Sequence, residues 1–123
     1  MNDDTAIREA LQRYCDLLYS CDVGKFDDVF HANAQLQAVG PQGYTCWSSA
    51  QYKEVLRKRA SPAAAGAIRE DEIIAIDQSS DVSAAAKLKV LINGVRFCDY
   101  LSLLKIDGDW RIVAKVYCVL PGQ

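Results

Sequence analysis

The Asp107-Gly108 dipeptide constrains the fold more than any other pair of residues in the chain. Both residues tolerate the positive φ that a tight two-residue hairpin turn demands. They stand between two long runs of apolar and aromatic residues, Val95 to Ile106 and Trp110 to Leu120. A two-residue turn sets the pairing outward from itself, because side chains alternate faces along each strand. Lys105 then lies opposite Trp110, Leu103 opposite Ile112 and Leu101 opposite Ala114. One face of the hairpin carries Phe97, Asp99, Leu101, Leu103, Trp110, Ile112, Ala114, Val116 and Cys118. It is apolar except for Asp99 and is expected to meet the core. The other face carries Arg96, Cys98, Tyr100, Ser102, Leu104, Arg111, Val113, Lys115 and Tyr117. That face is too polar for a core and too aromatic for a plain solvent surface. Aromatic residues mixed with Arg are typical of protein interfaces. Arg96, Tyr100, Arg111, Lys115 and Tyr117 are therefore expected to form a dimer interface.

The rest of the chain divides by periodicity. Ile7, Leu11, Tyr14, Cys15 and Leu18 recur at three- and four-residue steps and make the apolar stripe of a first helix. Asp3, Asp4 and Thr5 precede it as candidate caps. Asp22 can cap a second, shorter helix holding Phe26, Val29 and Phe30, which Gly24 weakens. Ala34 to Val39 suits a short strand, Gly40, Pro41 and Gly43 a turn, and Tyr44 to Trp47 a returning strand. Ser48 and Gln51 have capping-box spacing, with Trp47 and Tyr52 placed as a hydrophobic staple. A third helix follows to about Arg59, with Lys53, Arg57, Lys58 and Arg59 read as a solvated basic face whose cations suit a helix C-terminus. Ala60 to Ala67 is a loop. Ile68 to Asp77 and Val82 to Ile92 add two strands before the hairpin. Helices first and long antiparallel strands later give an α+β layout.

Composition narrows the function. The chain has 123 residues, which predicts one domain over residues 1–123. A domain of that size buries roughly two-thirds of its unfolded surface and needs no metal or disulfide to fold. Fourteen Lys and Arg against sixteen Asp and Glu leave a net charge of −2, which argues against a nucleic-acid partner and suits a neutral apolar ligand. No run approaches the ~18 apolar residues of a membrane helix, so no membrane partner is expected. The N-terminus is acidic and polar, unlike a secretory signal. Five cysteines, an odd number without CxxC spacing, read as free thiols in a reducing cytoplasm. His31 is the only histidine, so no metal site is expected. No phosphate loop, nucleophile elbow or Cys-His pairing is present, so no cofactor is expected either.

Asp99 is the informative residue. A carboxylate taken out of water finds donors and a counter-charge, or it takes up a proton. It serves as a base in the first state and a hydrogen-bond donor in the second. Bonding to a backbone amide or a Lys would explain it without any ligand. Tyr14, on the apolar stripe of the first helix, can reach the same space, or it is plain core with a satisfied hydroxyl. His31 reads as a helix-terminal or surface residue. The staple accounts for Trp47 without a ligand. Lys115, opposite Tyr100 in the assumed register, fits a cation–aromatic contact better than Schiff-base chemistry.

The run DYLSLLKIDGDWRIVAKVY, from Asp99 to Tyr117, resembles the end of the lumazine-binding-like family of the nuclear transport factor 2-like superfamily. IREALQRYCDLLYSCD (Ile7 to Asp22), FDDVFHANAQL (Phe26 to Leu36) and WSSAQY (from Trp47) repeat the resemblance along most of the chain. It implies a cone-shaped, cystatin-like α+β fold, with three N-terminal helices on a strongly curved antiparallel sheet that dimerises through its outer side. The superfamily includes ketosteroid isomerase, SnoaL-like polyketide cyclases, scytalone dehydratase and pure binding modules, so fold alone does not give function. The run around Tyr14 is similar to the isomerase segment that holds its oxyanion-hole tyrosine, and Asp99 lies near the position of that enzyme's acidic donor. The position of its general base is Ala38 here, with Gln35 and Gln37 beside it, and neither glutamine is a base. The dehydratase His-Asp dyad has no counterpart. The leading expectation is a cytoplasmic homodimer with an apolar pocket for a small apolar or aromatic organic molecule. Tyr14, Leu18, Phe30, Trp47, Tyr52, Asp99 and Leu101 are expected to line it. The alternatives are an isomerase-, cyclase- or dehydratase-type enzyme using Asp99 as acid or base with Tyr14 as donor, and a non-catalytic dimeric protein-interaction module.

Overall fold

The apolar stripe of the first helix is its buried side. In a computed structural model describing residues 3–121, α1 (Asp4–Ser20) buries Ile7, Leu11, Tyr14 and Leu18. Asp3 is its N-cap residue but does not cap with its side chain. It accepts instead from the Gln78 amide at 3.3 Å and pairs with Lys105 at 3.8 Å, tying the start of the helix to the sheet. Cys21 ends the helix in the left-handed region (φ 54°), with its N–H bonded to Leu17. Asp22 then caps by accepting from Gly24 N–H at 3.1 Å. The short helix it caps is a 3-10 helix over Val23–Asp28, and Phe30 already belongs to the first strand.

The strands are β1 (Phe30–Gly40), β2 (Gly43–Ser48), β3 (Glu70–Ser80), β4 (Ser83–Ile92), β5 (Val95–Ile106) and β6 (Asp109–Val119), with α2 (Ser49–Lys58) between β2 and β3. The capping box at the start of α2 is complete. Gln51 N–H donates to the Ser48 hydroxyl at 3.1 Å and Ser48 N–H to the Gln51 side chain at 2.8 Å. Trp47 stacks on Tyr52 at 5.8 Å between ring centres, as the staple spacing predicts. The loop after α2 folds back on α1 through Ala63 N–H to Tyr19 carbonyl and Tyr19 hydroxyl to Ala67 carbonyl.

The sheet order is β2-β1-β6-β5-β4-β3. All neighbours are antiparallel except β1 and β6, which run parallel. The sheet is antiparallel as expected apart from this one seam. The chain leaves β1, builds the rest of the sheet, and returns as β6 beside it, so no hairpin joins the two. Register shifts in β1–β6, in β3–β4 and in β5–β6 bend the sheet round the helices. The core fills this concave side, from Leu11 and Leu18 to Leu88, Leu103 and Ile112.

The hairpin turn forms as its residues require, with φ 51° at Asp107 and 87° at Gly108. Lys105 pairs Trp110 and Leu103 pairs Ile112. One residue further the expectation fails. Ser102 pairs Ala114, so Val113 is an extra residue on β6 and the strand bulges there. Leu101 consequently lies opposite Lys115 and Asp99 opposite Tyr117. Lys115 and Tyr117, expected on the outer face, are on the inner one, and Lys115 is only 5% exposed. Val116 takes the outer position instead and is 51% exposed. A bulge inverts the alternation of everything beyond it, and no turn residue announces it.

Candidate functional site

Where the bulge turns β6 inward, four side chains from distant parts of the chain meet. The Tyr14 hydroxyl, from α1, donates to Oδ2 of Asp99 on β5. Lys115 on β6 places its ammonium 3.9 Å from the same oxygen and donates to the Tyr52 hydroxyl of α2 at 3.4 Å. The ammonium also lies 5.1 Å from the ring centres of Tyr14, Tyr52 and Tyr117. Aromatic faces attract a desolvated cation, so this cage lowers the cost of burying it. Asp99 is 1% exposed, yet its Oδ1 makes no hydrogen bond to the protein.

The electrostatics follow from burial and charge. Burial first, then the negative charge of Asp99, holds the Tyr14 hydroxyl well above the usual tyrosine range. Tyr14 therefore keeps its proton and acts as a donor. Burial pushes Lys115 down, but Tyr52 and Asp99 outweigh it and leave the ammonium more stable than an ordinary lysine. An amine that keeps its proton is not a Schiff-base nucleophile. Burial also pushes the Cys15 thiol up to about 12, which removes it as a thiolate.

A cavity of about 230 Å³ opens over this cluster. Tyr52, Asp99 and Lys115 are its buried floor. Its half-buried walls are Trp47, Arg59, Ile92, Phe97 and Tyr117. Phe97 packs edge-on to Tyr117 with ring centres 6.2 Å apart. Asn93 donates from its side chain to the Ala60 carbonyl at 3.1 Å, joining the β4–β5 turn to the segment just past Arg59. Wider clefts of about 400 and 530 Å³ lie at the sheet rim. Four of their charged groups already pair with one another, Arg96 with Glu70 at 3.1 Å and Arg69 with Asp71 at 2.7 Å. Neither reaches the buried cluster.

Of the residues expected to line a pocket, Trp47, Tyr52 and Asp99 stand in the cavity wall. Tyr14 reaches it through Asp99. Leu18, Phe30 and Leu101 are packed in the core behind it. Arg96, Tyr100 and Arg111 remain on the outer side of the hairpin, on residues that alternate with the buried ones. The residues missed from sequence are Arg59, Ile92, Phe97, Lys115 and Tyr117. Lys115 and Tyr117 were hidden by the bulge. Arg59 is the C-cap of α2 with extended backbone (ψ 137°), so the chain turns it off the basic helix face to the cavity. His31 bonds only locally, its Nδ1 accepting from Asn33 N–H at 3.0 Å. Among the described residues, no cluster of His, Cys, Asp or Glu is placed to hold a metal, and no helix is long and apolar enough to cross a membrane.

Comparison with known proteins agrees with the topology. An NTF2-like protein of unknown function from Shewanella baltica superposes with a TM-score of 0.84 at 26% identity, covering 96% of this chain and 94% of its own. An NTF-2 like protein of unknown function from Silicibacter pomeroyi also gives 0.84, at 21% identity and 94% coverage of each chain. An uncharacterized protein with a cystatin-like fold from Caulobacter vibrioides gives 0.66 at 16% identity, covering 95% and 89%. No curated protein matches the sequence. Residues 2–118 match the model of the family described as "Putative lumazine-binding", and the chain belongs to that family, on an NTF2-like, cystatin-like α+β fold.

Proposed function

We propose that this domain binds a small aromatic molecule in the cavity above Asp99, without turning it over, as a homodimer joined through the outer sheet face. The observation that carries the reading is the buried Asp99 carboxylate. Tyr14 and Lys115 hold one of its oxygens, and the other has no protein partner under a ring-lined mouth. A few placed polar groups among aromatic walls are the usual make-up of a small-molecule site. A family named for binding lumazine, a heteroaromatic compound, is consistent with it. The test is protein-observed NMR with a set of one-ring aromatic compounds. The chain has two tryptophans: Trp47 at the mouth and Trp110 in the core. The expected result is a saturable shift of the Trp47 indole signal with that of Trp110 unmoved. If no ring compound moves Trp47, the binding reading is wrong.

Proton transfer is the second reading, because Asp99 lines the cavity and one of its carboxylate oxygens has no protein partner. Against it, the residues lining the cavity include no second carboxylate and no histidine to complete a proton-shuttling pair with Asp99. The dimer is supported by the outer face of β5 and β6. Tyr100 is 54% exposed in the middle of the sheet, with Leu104 and Val116 beside it. Exposed apolar residues grouped on central strands mark an association surface.

A further inference from the structure

The cavity's charges are unbalanced, and the imbalance names a ligand class. Asp99 is its one carboxylate, and Lys115 and Tyr14 already engage it. Arg59 is the second cation in the wall and forms no ion pair among the described residues. Its Nη1 is shielded from solvent and makes no hydrogen bond to the protein. A guanidinium out of water needs an acceptor, and its planar fork fits a carboxylate. Lys115 and Arg59 both line the space and lie close enough for their like charges to oppose each other. Oδ1 of Asp99 presents the opposite need, a hydrogen-bond donor. Size sets the third condition. A cavity of about 150 Å³ accommodates benzene, so about 230 Å³ takes one ring with small substituents. The stacked Trp47–Tyr52 pair and the Phe97–Tyr117 pair supply the walls for that ring.

We propose that the site takes a monocyclic aromatic carboxylate bearing a ring hydroxyl or amine, its carboxylate on Arg59 and its donor on Asp99. This rests on the cavity being the binding site, and it replaces the neutral apolar ligand expected from net charge. A charge near −2 over the whole chain says nothing about the two cations gathered in one cavity.

The test compares 4-hydroxybenzoate with phenol, read from the Trp47 indole shift in wild type, Arg59→Gln and Arg59→Lys. Wild type is expected to bind 4-hydroxybenzoate roughly ten- to a hundredfold more tightly than phenol, the range of a charge-assisted hydrogen bond. Arg59→Gln is expected to remove that advantage, weakening 4-hydroxybenzoate far more than phenol. Arg59→Lys, which keeps the charge and loses the fork, is expected to fall between. Equal affinities for the two compounds in wild type would overturn the carboxylate assignment while leaving the cavity a binding site. So would an Arg59→Gln loss that is the same for both. If neither compound moves Trp47, the cavity reading fails and this proposal with it.

Discussion

Tyr14 and Asp99 are 85 residues apart and meet in the core, the Tyr14 hydroxyl donating to the carboxylate and the Lys115 ammonium completing the group. Removing one partner of a buried ion pair strands the other, which costs more than the pair contributes. Lys115→Met is therefore expected to destabilise the fold by about 3–5 kcal/mol. Adding Asp99→Leu should recover part of the loss, because no buried charge is then left alone. Urea unfolding of the two variants checks this, and a double variant weaker than Lys115→Met alone would refute it. The alkaline limb of stability belongs to the same residues. Tyr14 and Lys115 both bind their protons more tightly when folded than the ordinary values of 10.0 and 10.5. Their contribution is fully present below about pH 10 and is lost as pH rises through the folded values, where the unfolded chain sheds protons first. Urea midpoints should hold from pH 8 to about pH 10 and fall above it, and less steeply in Tyr14→Phe.

Two local devices place these side chains, and only one has a sequence signature. The capping box of α2 was legible because Ser48 and Gln51 satisfy each other's backbone donors at fixed spacing. Ser48→Ala should cost about 1 kcal/mol by urea unfolding. It should also move the Trp47 indole signal, since the cap holds Trp47 against Tyr52. The turn was legible as well. Gly108 has φ 87° and open space around a would-be Cβ, so Gly108→Ala should cost about 1–2 kcal/mol from backbone conformation alone. The bulge at Val113 was not legible. Val113, Ala114 and Val116 are all apolar, so either alternation past Ile112 looks acceptable on the strand itself. The difference lies in what Lys115 meets: Asp99 and three tyrosine rings inside, or solvent outside.

For the whole molecule, a one-sided sheet poses the remaining question. The helices cover the concave side, and the outer face keeps Tyr100, Leu104 and Val116 exposed. Val116 stands where the bulge put it, so Val116→Glu tests the revised face and not the one first expected. It is expected to shift the chain toward monomer in sedimentation while leaving the urea midpoint of the monomer unchanged, since the side chain is 51% exposed. An unchanged sedimentation profile would exclude this face as the contact.

The amino-acid order by itself determined the helices, the turns and the first pairs of the hairpin, because caps, periodicity and positive-φ residues act within a few residues of chain. It also marked Asp99 as a carboxylate among apolar neighbours. It left open what partners that carboxylate, since Tyr14, Lys115 and Arg59 come from three other elements. Which face Lys115 takes, and that Arg59 leaves its helix for the cavity, follow from burial and counter-charge. Those energies exist only once the sheet has closed over α1 and α2.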